Sequence, residues 1–178
     1  MYTTPVSKKL FITFFLIMIG TAYYISCLNF YERTKFSPKK TIRHYSGNEE
    51  SFSDEPEEEY SEELLQEGFF FPKSYREIME ITHVHSYMLA LIVFVLSRIF
   101  SMTKVREMFK IIIYTFAFVG IILNVSGPWL IRYISDIFTM TLIASYIILG
   151  VCFIFYISLP IYEMWFRKSE EKDISYWL

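Results

Sequence analysis

Residues 108–131 read MFKIIIYTFAFVGIILNVSGPWLI, an apolar run in which Lys110 is the single charge. A helix needs about 20 such residues to cross the hydrocarbon core of a bilayer at ~1.5 Å per residue. The run also lacks the polar stripe that a water-facing helix keeps. Three further blocks repeat the pattern: Leu10–Tyr31, Ile78–Phe100 and Ile137–Trp165. The whole chain of 178 residues is 53% hydrophobic and 20% aromatic, with a mean hydropathy of +0.32, above what soluble domains carry. The fold class expected is an all-α integral-membrane bundle of four transmembrane helices.

The boundaries follow from these blocks. Residues 1–31 form an N-terminal signal-anchor helix, because the apolar stretch after Lys8-Lys9 exceeds a signal-peptide core and no small-x-small cleavage site follows. Residues 32–77 form a long loop, 78–166 a three-helix membrane core, and 167–178 a tail. Within the loop, residues 32–53 are basic and then polar, with no periodic apolar pattern. Residues 54–67 are acidic and of low complexity. A stretch of that kind cannot bury enough apolar surface to offset its ordering entropy, so disorder is expected there. The short connections set the orientation. Arg98, Lys104, Arg106 and Lys110 gather between spans two and three, whereas only Arg132, beside Asp136, lies between spans three and four. With Lys8, Lys9, Arg167 and Lys168, they put both termini in the cytoplasm by the positive-inside rule.

Local signals refine the helix ends. Ser74-Tyr75-Arg76-Glu77 has capping-box spacing, so the second span should start near Tyr75. Ser126-Gly127-Pro128 reads as the stop of the third span. Pro160 should kink the fourth. Gly20, Gly120 and Gly150 should let helices approach closely, and Cys27 and Cys152 sit at different depths, which excludes a disulfide between them.

Chemistry concentrates at Glu80-Ile81-Thr82-His83-Val84-His85. Ionisable groups at membrane depth are costly and tend to face a cavity, a partner helix or a cofactor. Residues two apart on a helix differ by about 200° of rotation, so His83 and His85 point to opposite sides. Glu80, His83 and Tyr87 share a face, on which the carboxylate can fix the imidazole tautomer. Asn124, Thr139 and Thr141 should lie at comparable depth. The candidate cofactor-binding residues are therefore Glu80, His83, His85, Tyr87 and Asn124, with His83 and His85 as the candidate metal ligands.

Haem b is one cofactor these residues suggest, but His44 is the only other histidine, so a second axial ligand would have to be His44, a methionine or a group from another subunit. A quinone or proton site is the other reading, and copper a third. Against all of them stands interhelical hydrogen bonding, for which His, Asn, Ser and Thr are commonly used in lipid. No GxSxG, P-loop, HExxH, CxxC or GxGxxG motif occurs, so catalysis by this chain alone is not expected. No basic stripe suggests nucleic acid.

Through Thr82-His83-Val84-His85 and Pro160-Ile161-Tyr162-Glu163-Met164-Trp165, residues 72–166 resemble small four-helix proteins of bacterial inner membranes that open the second helix with Thr-His-x-His. The resemblance implies a bacterial inner-membrane location and histidines that matter, without an assigned reaction. The function expected is an accessory subunit of a respiratory or electron-transfer assembly, partnered by other membrane or periplasmic subunits. The alternative is a membrane scaffold or assembly factor whose histidines only tie helices together.

Overall fold

The computed structural model describes residues 5–47 and 70–166, and among them it contains helices and no strand. The acidic stretch 54–67 and the tail 167–178 lie outside the described residues. Helices α1 (Val6–Thr34), α2 (Pro38–Ser46), α3 (Tyr75–Ser101), α4 (Glu107–Tyr133) and α5 (Thr139–Trp165) follow one another, with a 3-10 turn at Asp136–Phe138 before α5. All except α2 are long and apolar enough to cross a membrane, as the four hydrophobic blocks required. The protein is an integral-membrane four-helix bundle in contact with the bilayer.

Packing centres on the α4–α5 hairpin. The buried share of the most apolar window rises from 11% in α1 to 33% in α5, so α5 is the hub and α1 the most peripheral span. Helix α3 packs on both α4 and α5, whereas α1 packs on α5 and scarcely meets α3. That difference leaves a cleft between α1 and α3. One core layer gathers Leu16, Leu96, Phe100, Ala117, Tyr156 and Met164. There the Tyr156 hydroxyl, fully buried, shares a 2.9 Å hydrogen bond with Ser97 Oγ, which satisfies a polar atom that lipid could not.

Small residues set the α4–α5 distance. A Cβ placed on Gly120 would meet the Leu149 side chain at 2.9 Å, and one on Gly127 would meet Leu142 Cδ1 at 2.9 Å and Cβ at 3.0 Å. Gly127 is thus a contact residue, and the expectation that Ser126-Gly127-Pro128 stops the third span is corrected: α4 continues through Pro128 to Tyr133. Proline removes one backbone donor without forbidding a membrane helix, because neighbouring helices keep the segment packed. The acceptor it deprives is the carbonyl of Asn124, four residues earlier. Pro160 likewise lies inside α5, which runs on to Trp165.

The start of α3 is as the sequence indicated. Ser74 Oγ accepts the Glu77 N–H, while the Ser74 N–H donates to Glu77 Oε2 at 2.7 Å. At the α3–α4 turn, buried Glu163 of α5 accepts the Lys104 N–H at 2.8 Å, and Lys110 Nζ donates to the Ser101 carbonyl at 3.0 Å. Both cysteines carry free thiols.

Helix α2 is the element the sequence reading missed, since its residues were assigned to an unstructured loop. Its nine residues bury Thr41 and Tyr45, and it packs against α4 and α5. The Tyr45 carbonyl accepts the Lys73 N–H at 3.0 Å, and Arg132 Nε donates to the Lys73 carbonyl, so α2, the approach to α3 and the end of α4 are laced together. Its His44 is held neutral: burial first, then the charges of Lys73 and Arg33, lower its pKa from 6.5 to about 4. A histidine depressed in the folded state stabilises the protein above pH 6.5, and that contribution is lost as pH falls toward 4. Thermal midpoints measured between pH 7 and 4 should therefore fall, and His44→Gln should flatten the fall over that window.

Candidate functional site

The capping box places the start of α3, and the helical rise then puts His85 about 15 Å further along the axis. Rotation decides the rest. His83 is exposed on the outer face of α3, and His85 is half-buried and turned into the bundle. The arithmetic that separated the two histidines therefore holds, and they do not share a site.

His85 Nδ1 lies 3.0 Å from Asn124 Oδ1 on α4. Asn124 is 4% exposed, and its Nδ2 donates to Ser145 Oγ on α5 at 3.1 Å. Ser145, fully buried, donates its own hydroxyl to the Leu142 carbonyl at 2.6 Å. The chain is directional from Asn124 to Leu142. Ser145 spends its hydrogen on Leu142, so its oxygen accepts, and Asn124 must turn its NH2 toward Ser145. The amide oxygen then faces His85, and Nδ1 must carry the ring proton. In the Nδ1–H tautomer of the ring, Nε2 is bare and an acceptor.

That imidazole lines a cavity of about 220 Å³ in the α1–α3 cleft. Tyr23 and Ser26 of α1, Met88 of α3 and Tyr146 of α5 line it with His85 and Asn124, and the rest of the wall is aliphatic or aromatic. The Tyr23 hydroxyl donates to the Tyr146 carbonyl, and the Tyr23 ring stacks on Phe153 at 4.5 Å between centroids. One turn of α3 before His85, Trp129 Nε1 donates to Thr82 Oγ1 at 2.6 Å, another tie between α3 and α4.

The remaining sequence candidates lie elsewhere. Glu80 is exposed and pairs with Arg76 at 3.2 Å, and Tyr87 is 68% exposed. The face Glu80–His83–Tyr87 looks away from the bundle and does not line the cavity. Thr139 is buried but donates to the Asp136 carbonyl. Neither Thr139 nor Thr141 lines the cavity. Among the described residues, no three His, Cys, Asp or Glu side chains converge as a metal site would require. Sequence reasoning named His85 and Asn124 but missed Ser145 as the anchor and Tyr23, Ser26 and Tyr146 as lining. The pair Tyr23 and Ser26, three apart on one face of α1, was the available signal.

A family model described as a transmembrane helical domain matches residues 35–171. The match spans the stretch for which the inner-membrane resemblance was drawn and adds α2, and its description carries neither the Thr-His-x-His motif nor an activity. No curated protein and no solved structure gives a significant match to the chain.

Proposed function

Since the chain belongs to the Aq_1264_TM family of transmembrane helical domains, we propose that it is an accessory subunit of an electron-transfer assembly in a bacterial inner membrane. Both termini are cytoplasmic in this reading, and the α1–α3 cleft holds the head of a lipid-soluble quinol. The observation that carries the proposal is His85, which lines a mostly apolar cavity while its Nδ1 is engaged by the Asn124–Ser145 chain, so that its Nε2 is left to act as an acceptor in the Nδ1–H tautomer. An acceptor of that kind is complementary to a phenolic O–H, and an apolar cleft between two loosely packed spans suits a ligand arriving through the bilayer. On oxidation of the quinol to quinone, His85 Nε2 takes one proton, the second proton passes to water, and both electrons leave to a redox centre of the partner assembly.

Quinol fits these residues better than haem. The only other histidines are His83, on the far face of α3, and His44, on α2 outside the spans. A haem here would rest on His85 and a ligand from outside the chain. The scaffold reading keeps the same hydrogen bonds and gives the cavity no occupant.

Extraction distinguishes these readings. The detergent-purified full chain should release a quinone into hexane, and its absorbance should stay free of a Soret band before and after dithionite. A Soret band with sharpened α and β bands on reduction would replace quinol by haem b.

A further inference from the structure

Helix α3 keeps one face turned away from the bundle, along which Arg76, Glu80, His83, Tyr87, Ala90 and Phe94 are all exposed. Their spacing alternates between four and three residues, the repeat by which two helices stay in contact as a left-handed pair. The exposed face of α4 is plain hydrocarbon by comparison, with Ile111, Phe118 and Ile122, which lipid tails accept. The α3 stripe is instead polar over its first three turns.

Depth makes that polarity costly. The Tyr75 and Trp129 rings meet at 5.2 Å between centroids and Trp129 donates to Thr82, so this aromatic belt marks headgroup level as far as Thr82. Tyr87 lies about 7.5 Å further along the axis, where lipid tails offer no hydrogen-bond partner. Arg76 and Glu80 pair along the helix at 3.2 Å and stay exposed. Among the described residues, nothing hydrogen-bonds the His83 ring or the Tyr87 hydroxyl.

We propose that this stripe pairs with the same stripe of a second copy of the chain, across a twofold axis along the membrane normal. The choice of a second copy rests on self-complementarity. In a parallel pair each residue lies level with its own counterpart and one turn from residues three or four away. Arg76 of one chain then meets Glu80 of the other, which carries the opposite charge. The Tyr87 hydroxyl of one chain meets the His83 ring of the other, as donor to acceptor. Each contact occurs twice. Ala90, the smallest residue of the stripe, lies below them and lets the two backbones approach. None of the six residues lines the His85 cavity, so the pairing does not depend on what occupies that cleft.

Energy transfer between donor- and acceptor-labelled full chains, reconstituted in phosphatidylcholine vesicles over a range of protein-to-lipid ratios, measures the association. Transfer should rise with chain density to the plateau of a dimer. An interhelical hydrogen bond in lipid is worth roughly threefold in an association constant, and Tyr87→Phe removes two per dimer, so the density at half-transfer should rise roughly tenfold. That substitution takes away only an exposed hydroxyl, so the fold is not at stake. His83→Leu should act alike. Glu80→Arg should weaken pairing, and adding Arg76→Glu should restore it. Ile122→Ala, on the exposed face of α4, should change nothing. Transfer no greater than random crowding gives would overturn the second copy as the occupant of the stripe. So would transfer that persists unchanged in Tyr87→Phe and His83→Leu, or that Ile122→Ala weakens equally.

Discussion

His85→Ala should weaken binding of a short-tailed quinol to the purified full chain by about 100-fold, whereas His83→Ala should leave it within about twofold. The estimate for His85 rests on removing a buried hydrogen-bond acceptor that would otherwise receive the ligand's O–H; a hydroxyl buried without its partner costs ~1–3 kcal/mol. The estimate for His83 rests on its placement on the outer face of α3, away from the cavity. Fluorescence quenching titrations with the quinol kept reduced would measure both. The two variants separate binding from scaffolding, because each removes one imidazole from the same helix. Loss of thermal stability in His85→Ala with no quinol binding by the parent protein would favour the scaffold reading. Asn124→Leu should act in the same direction as His85→Ala, since it frees the ring to rotate and to move its proton to Nε2. An interhelical hydrogen bond in lipid contributes only ~0.6 kcal/mol on average, so the stability change should stay small beside the binding change.

Gly127→Val should be the most destabilising single substitution along the α4–α5 seam, at ~2–3 kcal/mol, read as a lower thermal midpoint in detergent. A Cβ at this position would meet Leu142 Cδ1 at 2.9 Å, Cβ at 3.0 Å and Cα at 3.4 Å, so relief requires α5 itself to move. Gly20→Ala provides the contrast. Its Cβ would meet only Ile157 Cδ1, at 3.1 Å, the tip of a flexible side chain that can turn aside. A small change is expected there. Equal losses in the two variants would mean that the α1–α5 and α4–α5 contacts are equally tight, contrary to the packing described above.

Much of the architecture could be read in the chain because the bilayer imposes one dominant constraint. Uncharged runs of spanning length must become helices, and the four blocks did so. The Ser74–Glu77 box was legible because capping depends only on residues three apart. Two readings went astray for physical reasons. Ser126-Gly127-Pro128 looked like a stop because glycine and proline end helices in water, whereas here Gly127 makes room for Leu142 and the helix passes through Pro128. Helix α2 went unseen because it buries only Thr41 and Tyr45, one turn apart, too few positions to form a period.

The candidate site was half legible. Helical rotation separated His83 from His85, yet it could not say which of the two faced the bundle, since Met88–Leu96, the stretch that follows them, is apolar on every side. A carboxylate at i−3 favoured the face of Glu80, His83 and Tyr87, and that face turned out to be the exposed one. His85 owes its inward position to partners 39 and more residues away, on α4 and α5, and such pairings leave no mark at short range.

The proton on His85 is the most direct point of test. Nitrogen-15 NMR of the full chain, labelled at histidine and reconstituted in bilayer discs, reports which ring nitrogen is protonated. A neutral Nδ1–H tautomer is predicted for His85, with Nε2 bare in the unliganded protein and shifted toward a hydrogen-bonded nitrogen on addition of a short-tailed quinol. An Nε2–H tautomer, or an Nε2 signal that quinol leaves unmoved, would contradict the proposed role of the Asn124–Ser145 chain and of the cleft it serves.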